Sequence, residues 1–199
     1  MFTALISAVA ADARWLVALG HEIVARGGIP QGVPFASAST RGWHNVPVLA
    51  ELAFNGLYSL AGARGLQLAQ VAAVLIACAC MALDARRLGA GDRSTMVALL
   101  LVIPAAFASV VAIRAQLFSL ALFPVLALIL RAEARRPSRL IWLVPPLLAL
   151  WSNLHGAALT GLAVVGAYLV VERLRREPLV ALGVLACSCL AICLTPALQ

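Results

Sequence analysis

The chain has 199 residues, of which 63% are hydrophobic, and its mean hydropathy is +1.00. Soluble globular domains are about 45–50% apolar, so this composition excludes an ordinary soluble protein and indicates an integral membrane protein. The net charge is +7, and every basic residue is an arginine. These arginines form short clusters between apolar runs, which is typical of topology signals and argues against a nucleic-acid partner.

The N-terminal residues predict part of a first span. The apolar run within residues 1–13 stops at Asp12, and about eleven helical residues reach only about 17 Å, which is too short to cross a bilayer. We interpret residues 1–13 as the outer half of a span, and we expect the chain to be a fragment of a longer protein. Ala8 and Ala10 also resemble a signal-peptide cleavage site, although no basic residue precedes them.

Residues 14–65 are predicted to form an outer loop that carries two interfacial helices, at 15–26 and 46–62. An apolar face on the first helix predicts that it lies flat at the membrane interface. That face consists of Trp15, Leu16, Leu19 and Ile23. The second helix is apolar except for one stripe of polar residues at every fourth position, which we expect to be accessible to water. The stripe consists of Glu51, Asn55 and Ser59.

The remaining chain predicts six membrane spans, each close to the roughly 20 residues that cross a bilayer. They are residues 66–83, 94–113, 115–131, 139–154, 157–172 and 178–195. Three arginine-rich loops, 84–93, 131–139 and 172–178, alternate with loops that carry little charge, so the arginine-rich loops should face the cytoplasm. The predicted fold is therefore an all-α, polytopic transmembrane helix bundle in the inner membrane, with residues 1–199 as one domain.

This topology places most of the side chains that could take part in catalysis or binding on the outer side. They are Asp12, His21, Glu22, His44, Glu51, Arg114, Asn153 and His155. Two interpretations remain open, namely chemistry at the outer face or the ordinary collection of polar residues at a membrane interface. Trp151 and His155 lie four residues apart and share a helical face, so they too could form either a site or an interfacial belt.

Several motifs resemble the GT-C glycosyltransferases, a family of polytopic membrane enzymes. In chain order they are Asp-x-x-Trp from Asp12, "GGIP", "PF", "RAQLFSLALFPVLALIL", "LVPPLLALWSNLHGAALTGL" and "LTP". Arg114, Gln116 and Phe118 match the family's Arg-Pro-Gln-x-Phe, and residues 151–156 match its Trp-x-Asn-x-His-Gly. The resemblance covers nearly the whole chain, whereas the family's own chains are much longer.

The resemblance implies a GT-C fold and transfer of a sugar from a polyprenyl-phosphate donor at the outer face, with membrane lipids as surroundings. Asp12 would be the catalytic carboxylate, either as the base or as the group that positions the acceptor hydroxyl, and Arg114 would hold the donor phosphate. Five further residues would contact substrate: His44, Glu51, Gln116, Asn153 and His155. No cofactor is expected, and a divalent metal ion has only the two separated carboxylates of Asp12 and Glu51 in its favour.

Three motifs depart from the family pattern. Leu16 and Val17 stand where the family has His-Leu after two aromatic residues, Val33 replaces the aspartate of Asp-Pro-Phe, and residues 46–48 replace His-Glu-Trp. A catalytically inactive or truncated membrane subunit of the same architecture is therefore the alternative function. A transporter is less favoured because no ionisable residue lies near the middle of a predicted span.

Overall fold

The computed structural model describes residues 8–40, 43 and 45–195. Within them the chain is all-α, with eight α-helices and 77% of residues helical, which confirms the predicted class. In chain order the elements are β1 (Ala8–Val9), α1 (Ala11–Arg26), α2 (Val48–Arg87), α3 (Asp92–Ala105), α4 (Phe107–Val111), β2 (Ala112–Ile113), α5 (Gln116–Arg135), a 3-10 helix (Arg139–Leu143), α6 (Val144–Leu154), α7 (Ala158–Tyr168), a π-helical turn (Leu169–Arg173) and α8 (Pro178–Ile192).

Helix α1 packs its apolar face against the first part of α2. Leu16, Leu19 and Ile23 are buried there, whereas Trp15 is 41% exposed. Most of this face is therefore covered by protein instead of lying against the bilayer as expected. Gly20 permits the close approach, because a β-carbon at this position would lie 2.1 Å from the carbonyl oxygen of Glu51. The helix ends at Gly27, whose φ of 65° suits a glycine C-cap.

Helix α2 bends sharply at Ala61 and Gly62. Gly62 has φ 58° and ψ −145°, a backbone conformation that is essentially restricted to glycine. The bend separates residues 48–60 from residues 63–87, close to the boundary expected between the second interfacial helix and the next span. The residues after the bend include those of the predicted span 66–83.

Two described helices, α2 and α5, are long and apolar enough to cross a membrane. Only 22% of the most apolar window in each is buried by the rest of the protein. The other predicted spans are divided or shortened, since residues 94–113 break at Ala106 after Pro104, and α6 begins only after a 3-10 turn. A π-helical turn likewise ends α7, and α8 covers 15 residues.

The predicted partial span at residues 1–13 also differs from the structure in its described part. Residues 8 and 9 form strand β1, and helix begins only at Ala11. The reason is the pairing of β1 with β2, which supplies the backbone hydrogen bonds that a helix would otherwise make.

Side-chain contacts define two ends of the helix bundle. At one end, which we call the Arg173 end, Arg131 donates to Asp84 and Arg173 donates to Glu133. At the other, which we call the Arg114 end, Arg114 donates to Asp12, and the Asn153 side chain reaches the carbonyl of Leu194. The three arginine-rich loops thus meet at one end.

Candidate functional site

A two-stranded bridge brings Asp12 and Arg114 together. Strands β1 and β2 pair in parallel, with Val9 opposite Ile113. Asp12 lies in the first turn of the helix after β1, and Arg114 follows β2 directly. The guanidinium Nε of Arg114 therefore donates to Oδ2 of Asp12 at 2.8 Å, across 102 residues of sequence. The two side chains remain 48% and 46% exposed, so the pair is accessible to a ligand.

Gln70 supports the segment that leads to Arg114. Its side chain is buried in α2, and Nε2 donates to the carbonyl oxygens of Ser109 and Val110 at 2.9 and 3.0 Å. These carbonyls lie at the end of α4, where helical hydrogen bonding stops before β2. Sequence analysis did not select Gln70, although a polar amide within an apolar run is a signal that the sequence itself offers.

Ser119 links the two residues of the "WSNLHG" motif that share a helical face. The indole Nε1 of Trp151 donates to the Ser119 hydroxyl oxygen at 2.8 Å, and that hydroxyl lies 2.7 Å from Nδ1 of His155. The backbone N–H of Ala157 also donates to the same ring nitrogen, at 3.4 Å. Nδ1 is therefore the acceptor of the neutral ring, and Nε2 carries the proton.

His155 follows the end of α6, and burial lowers its pKa below the usual 6.5. The ring is thus neutral at neutral pH, in agreement with the hydrogen bonds to Nδ1. Because Nδ1 is occupied, Nε2–H is the polar group of this ring left for a ligand. Sequence analysis missed Ser119, whose isolated position in an apolar helix gives no periodic signal.

A cavity of about 330 Å³ adjoins these groups. Its lining residues come from α4, α5 and the turn after α6, and they are Ser109, Gln116, Ser119, Leu120, Phe123, Pro124, His155 and Ala157. Gln116 lies two residues after Arg114, so the lining begins close in sequence to the ion pair. Amide, hydroxyl and imidazole groups beside the Phe123 ring could hydrogen-bond a polar ligand and contact its apolar face.

Glu51 does not contribute to an exposed stripe. Only 1% of this residue is exposed, and its Oε2 accepts a hydrogen bond from Asn45 at 2.5 Å. Burial raises the pKa of Glu51 to about 7, and the hydrogen bond from Asn45 acts in the opposite direction. The expectation of a continuous water-accessible stripe is wrong for this residue, because α1 packs over it. Asn55 is half-buried, whereas Ser59 is exposed.

Asn153 is directed away from the cavity. Its Nδ2 donates to the carbonyls of Ala149 and Leu194, each at 2.8 Å, and it thereby ties α6 to the segment after α8. Asn153 does not line the cavity that contains His155. His44, the other substrate-binding residue expected from the resemblance, lies outside the described residues.

The Arg173 end holds a second arginine–carboxylate pair that sequence analysis treated only as part of the topology signals. Arg173 donates to Glu133 at 2.5 Å and to Glu177 at 3.0 Å, and the backbone N–H of Ser138 also donates to Glu133. The Arg173 and Glu133 side chains are 3% and 0% exposed. The sequence signal for this pair was Glu133, the one acidic residue among the arginines of "RAEARR".

Within the described part of the chain, no three His, Cys, Asp or Glu residues lie close enough together to hold a metal ion. The two carboxylates considered for that role have other partners, since Asp12 contacts Arg114 and Glu51 contacts Asn45. Comparison with protein-family models, with curated proteins and with solved structures gives no match. The class that the coordinates support is an all-α protein with two helices able to span a membrane.

Proposed function

We propose that the chain is a multi-pass protein of the bacterial inner membrane with a GT-C-like architecture. In this proposal it transfers a sugar from a polyprenyl-phosphate donor to an acceptor at the outer face. The observation that carries the proposal is the pairing of Asp12 with Arg114 across 102 residues. Gln116, two residues after Arg114, lines a cavity.

Exposed apolar side chains support the membrane location. Large aliphatic residues on α2, α3 and α8 have more than 60% of their surface uncovered, and contiguous apolar surface of this kind is rare on soluble monomers. Examples are Leu68, Leu75, Leu101, Leu179 and Leu190. The arginine-rich loops at the Arg173 end favour its placement on the cytoplasmic side, which would leave the Arg114 end outside.

The atoms of Asp12 and Arg114 that do not take part in their hydrogen bond suit the donor phosphate and the acceptor hydroxyl. Arg114 uses Nε for Asp12, so its two terminal nitrogens are left to hold the donor phosphate in a bidentate contact. Asp12 uses Oδ2, so Oδ1 is left to accept the proton of an acceptor hydroxyl. The acceptor oxygen would attack the anomeric carbon of the sugar. The bond between that carbon and the phosphate oxygen would break and release the polyprenyl phosphate.

The cavity residues would position the sugar. Nε2–H of His155 and the amide of Gln116 are donors and acceptors suited to sugar hydroxyls, and Phe123 offers an apolar ring face. The link from Trp151 through Ser119 would keep the His155 ring in one orientation. This arrangement gives His155 a substrate-binding role, not the role of a base.

A catalytically silent subunit is the second candidate, and a specific contact favours it. Leu16 stands where the family has a histidine, and it is buried between α1 and α2, so it offers no ligand group. A silent subunit would still bind polyprenyl phosphate through Arg114, but it would not transfer the sugar.

The experiment that separates these candidates measures binding and transfer on the same material. The full chain is reconstituted in liposomes, and polyprenyl-phosphate binding is measured alongside release of labelled sugar from polyprenyl-phosphate sugars. We expect Arg114→Gln to weaken binding about tenfold, since one charge-assisted contact is lost. Asp12→Asn should retain binding and lower transfer by about 10²-fold or more.

Arg93→Gln serves as the control for loss of one exposed positive charge. Arg93 lies in the first turn of α3, in an arginine-rich loop, and it should alter neither readout. Binding without transfer by the unmodified chain would establish the silent subunit. Binding that is unaffected by Arg114→Gln would overturn both candidates.

A further inference from the structure

A second and larger cavity lies between α1 and the bend of α2. Its volume is about 710 Å³, within the roughly 300–1,000 Å³ that is usual for small-molecule sites. Strand β1, α1 and the part of α2 around the bend supply its walls. The lining residues are Val9, Arg14, Val17, Ala18, His21, Asn55, Tyr58, Ser59, Ala63 and Leu66.

The polar groups of this cavity favour an anionic ligand. Arg14 and His21 project from α1, and the amide and hydroxyl groups of Asn55, Tyr58 and Ser59 face them from α2. No carboxylate is among the lining residues. Arg14 takes part in none of the ion pairs among the described residues. A guanidinium that shares a cavity with neutral amide and hydroxyl groups is well suited to phosphate.

The apolar part of the cavity indicates that the ligand also has a hydrocarbon portion. Val9, Val17 and Leu66 contribute aliphatic surface beside the polar groups, and Leu66 is fully buried. The cavity is therefore polar on part of its wall and apolar on the remainder. An amphiphile matches this division better than a free inorganic ion does.

The backbone fixes this shape without a ligand. After the bend at Gly62, Gly65 packs so closely on the preceding turn that a β-carbon would lie 2.1 Å from the carbonyl oxygen of Leu57. This contact holds the residues before the bend, which include Tyr58 and Ser59, close against those after it. A rigid wall of this kind lowers the ordering cost of binding.

We propose that this cavity binds the anionic phosphate headgroup of a membrane lipid. Arg14 pairs with the phosphate, and the first methylene groups of the lipid chain lie against Val17 and Leu66. A guanidinium that pairs with a phosphate, beside aliphatic side chains that cover the adjoining methylene groups, matches both parts of such a lipid. Neither Asp12 nor Arg114 lines the cavity, so this lipid site is separate from the proposed transfer site and stands without it.

The test uses the full chain in a non-ionic maltoside detergent and dioctanoyl phosphatidic acid as the probe, with binding measured by isothermal titration calorimetry. We expect Arg14→Gln to weaken binding about tenfold. Ala63→Phe, which fills the cavity without a change of charge, should weaken binding by a similar factor. Arg14 and Ala63 are both exposed, so neither substitution should impair folding.

Arg64→Gln is the matched control, because Arg64 is exposed, follows a lining residue directly and does not itself line the cavity. It should alter binding by less than about twofold. Equal weakening by Arg14→Gln and Arg64→Gln would show diffuse electrostatic attraction and overturn the site, as would no effect of Arg14→Gln and Ala63→Phe. Dioctanoyl phosphatidylcholine should bind at least about tenfold more weakly than phosphatidic acid, and so should glycerol 3-phosphate. Binding of glycerol 3-phosphate as tight as that of the lipid would overturn the assignment to a lipid.

Discussion

The two ends of the bundle each contain an arginine–carboxylate pair, and the two pairs have opposite surroundings. At the Arg173 end, Glu133 and Arg173 are almost wholly buried, and additional hydrogen bonds surround them. At the Arg114 end, the Asp12 and Arg114 side chains share one hydrogen bond among the described residues and are about half exposed. The same chemical groups therefore form a fixed contact in one pair and an accessible contact in the other.

This difference indicates a division of roles. A buried charge whose partner is removed keeps its full desolvation cost, so the Glu133–Arg173 pair has to remain intact for the helices to pack. An exposed pair contributes little to stability, and its atoms can exchange partners when a charged ligand arrives. Burial distinguishes the structural pair from the one suited to binding, although both look alike in sequence.

We expect the largest effect from a substitution that breaks the buried Glu133–Arg173 pair. Glu133→Ala leaves Arg173 buried without its closest anion, and we expect the free energy of unfolding to fall by about 3–5 kcal/mol. Titration with SDS in a maltoside detergent measures this quantity. The double variant Glu133→Leu with Arg173→Met is the control, since it removes both charges and should recover most of the loss. A decrease below about 1 kcal/mol for Glu133→Ala would contradict a structural role.

A smaller effect concerns Glu51, which is buried and pairs with no arginine or histidine among the described residues. It therefore adds a third kind of carboxylate to the comparison. Its pKa of about 7 in the folded chain lies above the usual 4.5, so folding favours the protonated carboxyl. Its favourable contribution to stability is complete below about pH 4.5 and is lost as the pH rises through about 7. We therefore expect Glu51→Gln to gain about 1 kcal/mol or more over the unmodified chain between pH 4.5 and pH 8.

Unfolding of both chains at pH 4.5, 6 and 8 measures that difference. Asp92→Asn, which changes an exposed carboxylate paired with Arg86, is a suitable control and should leave the pH dependence nearly unchanged. Parallel pH profiles for the unmodified chain and Glu51→Gln would contradict the raised pKa.

The smallest expected change in stability is at the exposed pair. Asp12→Asn should alter the free energy of unfolding by no more than about 1 kcal/mol, because solvent screens a half-exposed ion pair. The same SDS titration measures it beside Glu133→Ala. A loss as large as that of Glu133→Ala would show that both ends are structural, and the contrast between them would no longer hold.

Sequence patterns predicted the features that depend on composition and local periodicity. The apolar content predicted an all-α chain with membrane-spanning helices. The spacing of Leu16, Leu19 and Ile23 identified the apolar face of α1, although α2 covers these residues and not the bilayer. The predicted boundary between the helix at 46–62 and the span at 66–83 lies close to the bend of α2 at Gly62. These signals are local, because each repeats along a helix or interrupts one.

The remaining features depend on contacts between distant segments. Ser119 acquires its place only through the rotation of α5 against α6, which no single serine reveals. Burial of Glu51 depends on the absence of a side chain at Gly20, on another helix. The two-residue strands are too short to show alternation, so the bridge that joins Asp12 to Arg114 could not be predicted from pattern.

The parallel pairing of β1 with β2 has a consequence for biosynthesis. Parallel strands need a crossover connection, and in this chain α2, α3 and α4 are made before β2 can meet β1. Asp12 therefore leaves the ribosome about a hundred residues ahead of its arginine. Until that later segment emerges and turns back, the nascent chain carries an aspartate without its partner, and the ion pair forms late in synthesis.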